Sequence, residues 1–411
     1  MSDPTQHKPL HILYFIEEFW PTHRQDVSAL FGKYLLRYGI HCDLVTAEDP
    51  AASGKPLSPW QSGELLLCRV PHNRAGQYVV KLWHNLKSLL TADTSKYQAL
   101  QVRDMSLTAL FGLIIARIKH LQFYYWLSYP QSEGQIDRAK KRGLKGGMRF
   151  WFPLLQGWIG KFLLYKIVLP RADHVFVQSR QMRLDLAAYG IPVQRMTPVP
   201  MGVDTEVAQT DQITAATDPL LSGKRVVAYL GTLDRVRQIE VLFQMLDKIK
   251  AQIPNVLLVL IGDTEDAAHR AWLREEAVRL GVNDLILWTG WLPMTTAWSY
   301  LRSADVGISP FPRGFLLDSA SPTKAIEYMA LGLPVVVNDN PDQAQVVTES
   351  GGGLCVPLEA NAFAEAVLRL LNDPAKSAEM ARLGQEYVSK VRNYAVLANN
   401  LADQYKRLLS K

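Results

Sequence analysis

Cysteine is scarce: 411 residues contain three, Cys42, Cys68 and Cys355, isolated from one another and at no metal-ligand spacing. That excludes a disulfide framework and a thiolate zinc site. No uninterrupted apolar run reaches the roughly 18 residues that span a bilayer. The opening MSDPTQHKP lacks the apolar core of a signal peptide, so a cytoplasmic protein is expected. No internal repeat or low-complexity tract is evident. Acid is missing from one stretch in particular. Between Ile136 and Pro170, Asp137 is the single carboxylate among Arg138, Lys140, Lys141, Arg142, Lys145, Arg149, Lys161 and Lys166.

What is present describes a folded chain. Hydrophobic residues make up 48% and charged residues 20%, a globular composition long enough for two domains. The net charge of +6 favours anionic partners: nucleotides, phospholipid headgroups or nucleic acid. Apolar strand-like runs alternate with helical stretches in both halves. The first half has strands over 11–16, 41–46, 65–70, 99–103, 123–127 and 172–179. The second has them over 225–230, 256–261, 285–292, 305–310, 335–337 and 351–356. That alternation predicts an α/β fold with parallel sheets, one per half. The expected divisions are a first domain over 1–205, a polar linker over 206–222, a second domain over 223–390 and a final helix over 391–411 that packs back on the first domain.

The most informative stretch is DSASPTKAIEYMALGLPVVV, residues 318–337. Ser321 reads as a helix N-cap with Pro322 at the first helical position. Thr323 and Lys324 follow in the first turn, and Gly332 and Pro334 end the helix before a buried strand. Free N–H groups at a helix start, with a lysine beside them, form an anion site. Glu327 stands among apolar or small neighbours, and its two oxygens suit two adjacent sugar hydroxyls.

This motif resembles the donor-nucleotide motif of retaining glycosyltransferases of the GT-B fold, particularly glycosyltransferase family 4, in its S-P-x-K-x-x-E-Y-M-A sub-group. The resemblance implies two Rossmann-like domains facing a central cleft. A helix N-terminus at Ser321–Thr323 would receive the diphosphate of a nucleotide sugar, with Glu327 holding the ribose. A second Glu eight residues earlier, common in the family, is Ser319 here. In the loop after strand 225–230, Thr232 replaces the usual Arg, Arg237 matches the usual Lys, and Gln238 replaces a glycine; Arg235 stands ready to compensate for Thr232. Gly290 and Trp291 match the turn whose backbone contacts the nucleobase, which leaves UDP and GDP donors unseparated. The first loop, 21–25, lacks the family's paired glycines and offers His23 and Arg24 instead.

At expected strand ends of the first half stand Asp104, Ser128 and Glu133. Asp104 is read either as an acceptor-site acid or as a cap of the helix after it, and Glu133 stays open in the same way. With no Asp-x-Asp pair in the chain, a metal-clamped diphosphate is not expected. Arg237 and Lys324 would then supply the positive charge that the departing nucleoside diphosphate needs. Attack from the face of departure lets the leaving phosphate oxygen take the acceptor's proton, so no separate base is required. No cofactor is expected beyond the UDP- or GDP-sugar donor. The basic, aromatic segment 136–170 reads as a membrane-surface element, as a core helix with a solvated flank, or as a nucleic-acid surface without a supporting motif. The first of these implies a peripheral membrane protein with a lipid-linked saccharide acceptor, such as surface polysaccharide assembly uses. A nucleotide-sugar isomerase and a non-catalytic scaffold on the same fold are the alternatives.

Overall fold

The structure, a computed structural model, describes residues 9–52, 58–143, 147–208 and 213–410. Lys145 of the basic segment, most of the opening MSDPTQHKP and positions 209–212 of the expected linker lie outside those residues. The chain forms two compact units. One runs up to Pro200 and resumes at Tyr394; the other is Met201–Asn393.

The first unit is a seven-stranded parallel sheet. Its strands are β1 (Leu10–Trp20), β2 (Ile40–Glu48), β3 (Leu65–Cys68), β4 (Ala99–Arg103), β5 (Gln122–Leu127), β6 (His174–Val177) and β7 (Met196–Pro198), in the order β3-β2-β1-β4-β5-β6-β7. The second is six-stranded: β8 (Arg225–Leu230), β9 (Val256–Ile261), β10 (Ile286–Gly290), β11 (Val306–Ser309), β12 (Val335–Asn338) and β13 (Gly353–Val356), ordered β10-β9-β8-β11-β12-β13. All the pairings are parallel. Helices cover both faces of such sheets, so strands read as unbroken apolar runs; in β9 every residue is buried. Each sheet reverses its strand order once, between β1 and β4 and between β8 and β11. Beyond the strand C-termini at such a reversal lies the crevice where doubly wound folds take ligands.

In the first unit, Leu89, Leu113 and Leu164 come from three helices and join one core on one face of the sheet. The helices are Arg74–Leu90, Ser106–Ile118 and Met148–Arg171. The opposite face takes Asp26–Tyr34 and the last helix, Tyr394–Leu409, through Phe31, Leu397 and Leu401. Tyr405 Oη of that helix donates to Gln101 Oε1 at 2.5 Å.

One sequence reading needs revising, that of the linker, and one helix needs description: the helix that starts at Met148 runs past Lys161 and Lys166. It continues to Arg171, and with 24 residues and mean hydropathy 1.2 it is long and apolar enough to cross a membrane by length and composition. Lys161 fits because Glu133 lies 3.4 Å away and Tyr189 Oη 3.1 Å away. The stretch read as a linker belongs to the second unit, where Ala208 and Ile213 are buried in its core. The two chain connections between the units lie side by side: Val203 N donates to Arg392 O at 2.8 Å, and Val203 and Asn393 form a parallel bridge.

Candidate active site

At the C-terminal ends of β8, β9 and β10 stand three glycines with positive φ: Gly231 (146°), Gly262 (132°) and Gly290 (70°). At two of them only glycine fits. A Cβ on Gly262 would lie 2.2 Å from Gly231 O, and one on Gly231 would lie 2.6 Å from Lys324 Cε. Backbone therefore meets backbone here, and Lys324 is laid against it. Trp291 follows Gly290 and is exposed. Gln238 stands where the resemblance expects glycine, and its φ of 52° is the left-handed conformation that glycine would supply. The substitution keeps the turn.

The helix that carries the motif is Lys324–Ala330. Ser321 does not cap it, contrary to the sequence reading. Its hydroxyl instead donates to Asp342 Oδ2 at 2.8 Å and accepts from Met201 N at 3.0 Å and from Arg392 Nη1 at 3.3 Å. The cause is a buried ion pair, Arg392 Nη2 to Asp342 Oδ1 at 2.7 Å, whose remaining polar capacity the serine fills. The N-cap position is Thr323, without a side-chain cap, so the first-turn N–H groups are left for another acceptor. Ser319, at the family's second Glu, donates to Phe315 O at 3.0 Å, and Asp318 pairs with Arg313 at 2.8 Å.

Tyr328 ties this helix to the reversal point. Its hydroxyl accepts from Leu230 N at 2.8 Å and donates to Ile308 O at 3.3 Å, bridging the ends of β8 and β11. Tyr328→Phe should cost about 1–2 kcal/mol, because it leaves the Leu230 amide unpaired. Thermal melting should show a fall of roughly 2–8 °C, and an unchanged midpoint would mean that the bridge carries no weight.

Two basic side chains, Lys324 and Arg237, share this site with the carboxyl of Glu327. Lys324 Nζ lies 5.4 Å from the Tyr229 ring centroid and 5.8 Å from that of Phe311, and the Arg237 guanidinium stands 4.7 Å over the same Phe311 ring. Arg237 Nε and Nη1 are buried and have no hydrogen-bond partner among the described residues. Burial, and next the charge of Arg237, pull the Lys324 ammonium down to about 7; Glu327 opposes them. Glu327 is buried, and that burial raises its carboxyl, against the Thr323 hydrogen bond and the Lys324 charge. Arg235 lies apart from this cluster's contacts: it is exposed, 3.4 Å from Asp266.

In the first unit Asp104 ends β4 with φ 56°. It is not the cap of the helix Ser106–Ile118. Its Oδ1 accepts from Ser128 N at 2.8 Å, and the Ser128 hydroxyl donates to Oδ2. Arg24 Nη2 donates to Ser128 Oγ at 3.0 Å. The fully buried Arg103 pairs with Asp26 at 2.7 Å and approaches Asp104 at 3.5 Å. Burial raises the Asp104 carboxyl, against Arg103 and Ser128. Asp104, Ser128 and Arg24 thus meet at the β1/β4 reversal, whereas Glu133 is engaged with Lys161.

Sequence reasoning missed the residues that hold the loops. Asn338 exchanges two hydrogen bonds with the Phe311 backbone, at 2.6 and 2.9 Å, and Ser309 donates to Gln343 Oε1 at 2.5 Å. Their signal was a polar residue at the end of an apolar strand, Ser309 and Asn338 among them.

Two family models match. Glycosyl transferases group 1 covers residues 214–387, and the glycosyl transferase 4-like domain covers 29–202. Together with the two doubly wound units they mark a chain with the GT-B fold whose two halves are each similar to glycosyltransferase domains. A curated relative is the GDP-mannose-dependent alpha-(1-6)-phosphatidylinositol monomannoside mannosyltransferase of Mycobacterium tuberculosis, 27% identical over 236 residues. That match takes in 56% of this chain and 60% of the relative's length. Among solved structures, Anabaena HepE in complex with UDP aligns with a TM-score of 0.71 at 14% identity, covering 97% of this chain and 100% of that one. Sucrose-phosphate synthase from Thermosynechococcus elongatus aligns at 0.69 and 19% identity, covering 97% and 99%.

Proposed function

We propose that this protein is a retaining, metal-independent glycosyltransferase of the S-P-x-K-x-x-E-Y-M-A sub-group, transferring a sugar from a UDP- or GDP-sugar to an acceptor hydroxyl. The observation that carries the reading is the half-buried Arg237, whose buried Nε and Nη1 have no hydrogen-bond partner among the described residues, beside a lysine that burial has made a weak cation. Arg237 and Lys324 at a strand-order reversal, with Glu327 as the nearby carboxylate, suit an anionic ligand, and a diphosphate meets that need. Arg237, Lys324 and the uncapped turn from Ser321 through Pro322 and Thr323 hold the diphosphate; Glu327 takes the ribose hydroxyls. The backbone at Gly290 and Trp291 borders the base, and Arg235 guards the exposed edge. As the glycosidic bond breaks, the cations stabilise the charge on the leaving phosphate, whose oxygen accepts the acceptor's proton. Asp104 is assigned to the acceptor. HepE, which shares the fold, was solved with UDP, and the mycobacterial relative is named for a GDP-mannose donor.

The acceptor is assigned as a lipid-linked saccharide met at the cytoplasmic membrane surface. Supporting this are the exposed Trp151, Phe152 and Leu155 next to Lys140, Lys141 and Arg142, and a relative named for a phosphatidylinositol acceptor. The test is thermal stabilisation by UDP, GDP, ADP and their sugars, on wild type and Glu327→Ala. One nucleotide should raise the wild-type midpoint and leave the variant unmoved. No shift with any of them at millimolar concentration would return the chain to the scaffold reading. Donor conversion without transfer to any acceptor would favour an isomerase.

A further inference from the structure

The helices Arg74–Leu90, Ser106–Ile118 and Met148–Arg171 bury their inner sides in one core on one face of the first sheet. Their outer sides are unusual together. None of the three contains an aspartate or glutamate, and between them they carry eight lysines and arginines. Each also leaves large apolar side chains outside. Trp83 is 67% exposed, with Val79 one turn before it; Ile118 is 71% exposed, with Ile114 one turn before it; and Met148 is 75% exposed. On the third helix Trp151, Phe152, Leu155, Trp158, Ile159 and Phe162 continue the row at helical spacing. The acids around this face are already engaged: Asp173 pairs with Arg117 at 2.9 Å, Asp137 with Lys141 at 2.8 Å, and Asp93 accepts from Ser95.

We infer that the membrane-contacting surface is this whole three-helix face, with the helix Arg74–Leu90 as a second contact element seated on an anionic bilayer through Val79 and Trp83. The inference rests on the membrane reading above and extends it to a helix that the charge pattern of 136–170 does not reach. A patch of this size is not left open on an ordinary soluble surface. Indole and branched aliphatic side chains flanked by bases suit the headgroup region, where ammonium and guanidinium groups reach lipid phosphates while their stems stay apolar. A second copy of the chain is a poor occupant, since two acid-free basic faces repel each other. Lys81 turns inward to the carbonyls of Glu17 and Glu18, so Arg74 and Lys87 are the outward charges of this helix.

The experiment is co-sedimentation of the full chain with phosphatidylcholine vesicles, with and without phosphatidylglycerol. It uses wild type, Val79→Ser/Trp83→Ser, and Trp83→Phe. Wild type should bind the anionic vesicles. The double variant should bind at least about tenfold more weakly, the loss expected for two apolar side chains that no longer enter lipid, while keeping its nucleotide-induced thermal shift as evidence of folding. With brominated lipid, Trp83→Phe should lose part of the wild-type fluorescence quenching. Undiminished binding by the double variant with unchanged quenching in Trp83→Phe would overturn the inference and leave the membrane reading standing. Failure of wild type to bind any vesicle would overturn both. Self-association that the double variant abolishes would assign the face to a second copy.

Discussion

Replacing Arg237 with alanine is expected to lower turnover by about 10²–10³-fold, the usual consequence of losing one preorganised charge at a leaving group. The donor's dissociation constant should rise less, because the charge matters most when the glycosidic bond is breaking. Arg237→Lys should recover only part of the loss. A lysine restores the charge, but it has no planar fork to span two phosphate oxygens and no guanidinium plane to stack on Phe311. Steady-state kinetics with the donor identified by thermal shift would measure this. Weaker donor affinity with kcat unchanged would move Arg237 from the reaction to simple binding. Unchanged kcat and unchanged affinity together would remove it from the site.

Lys324→Met should give the opposite signs in two assays. Lys324 sits at about 7 in the folded protein against an ordinary 10.5, chiefly because burial disfavours its charge, with Arg237 next. Between those values the unfolded chain binds more protons at this residue than the folded one, so ligand-free stability from this group rises with pH across that window. As pH falls through 7 the folded site is charged and the cost is complete. Methionine removes that cost, so the ligand-free variant should melt higher than wild type, most clearly at pH 7 and below. The same change should weaken nucleotide binding by about 1.5–3 kcal/mol, the worth of a hydrogen bond to a charged group. In wild type, a bound diphosphate favours the ammonium form, so nucleotide affinity should fall as pH rises above 7. Calorimetry and melting across pH 6–9 would check both. A variant that melts lower than wild type would show that Lys324 is paid for within the ligand-free protein.

The two sheets were legible because parallel strands buried on both faces leave apolar runs that need no partner to be recognised. Glu327, Lys324 and Arg237 were singled out from a motif and their roles are proposed; that Lys324 and Arg237 stand near one Phe311 ring follows from strand order, with β8 and β11 adjacent. Ser321 was misread because a serine before a proline looks like a cap when only its neighbours in sequence are considered. Its actual partners, Asp342 and Arg392, lie 21 and 71 residues away, and no local pattern announces them. The helix Arg74–Leu90 escaped notice for a related reason. Val79 and Trp83 stand one turn apart in the sequence, but which side of that helix the sheet covers is settled only by the fold. Gln238 shows the reverse case: it replaces a glycine in residue type, and its backbone keeps the left-handed conformation that glycine would supply.

The crossing of the chain at Val203 and Asn393 has a practical consequence. The first unit is discontinuous in sequence, and residues 201–393 are inserted into it as one closed parcel whose entry and exit touch. Its ends are held together within its own core, where Val203 is buried and Arg392 pairs with Asp342, so a cut just outside them should leave its fold closed. The excised piece carries every residue assigned to the donor. Donor recognition could thus be studied on a protein of half the size, freed from the unit to which it is normally spliced.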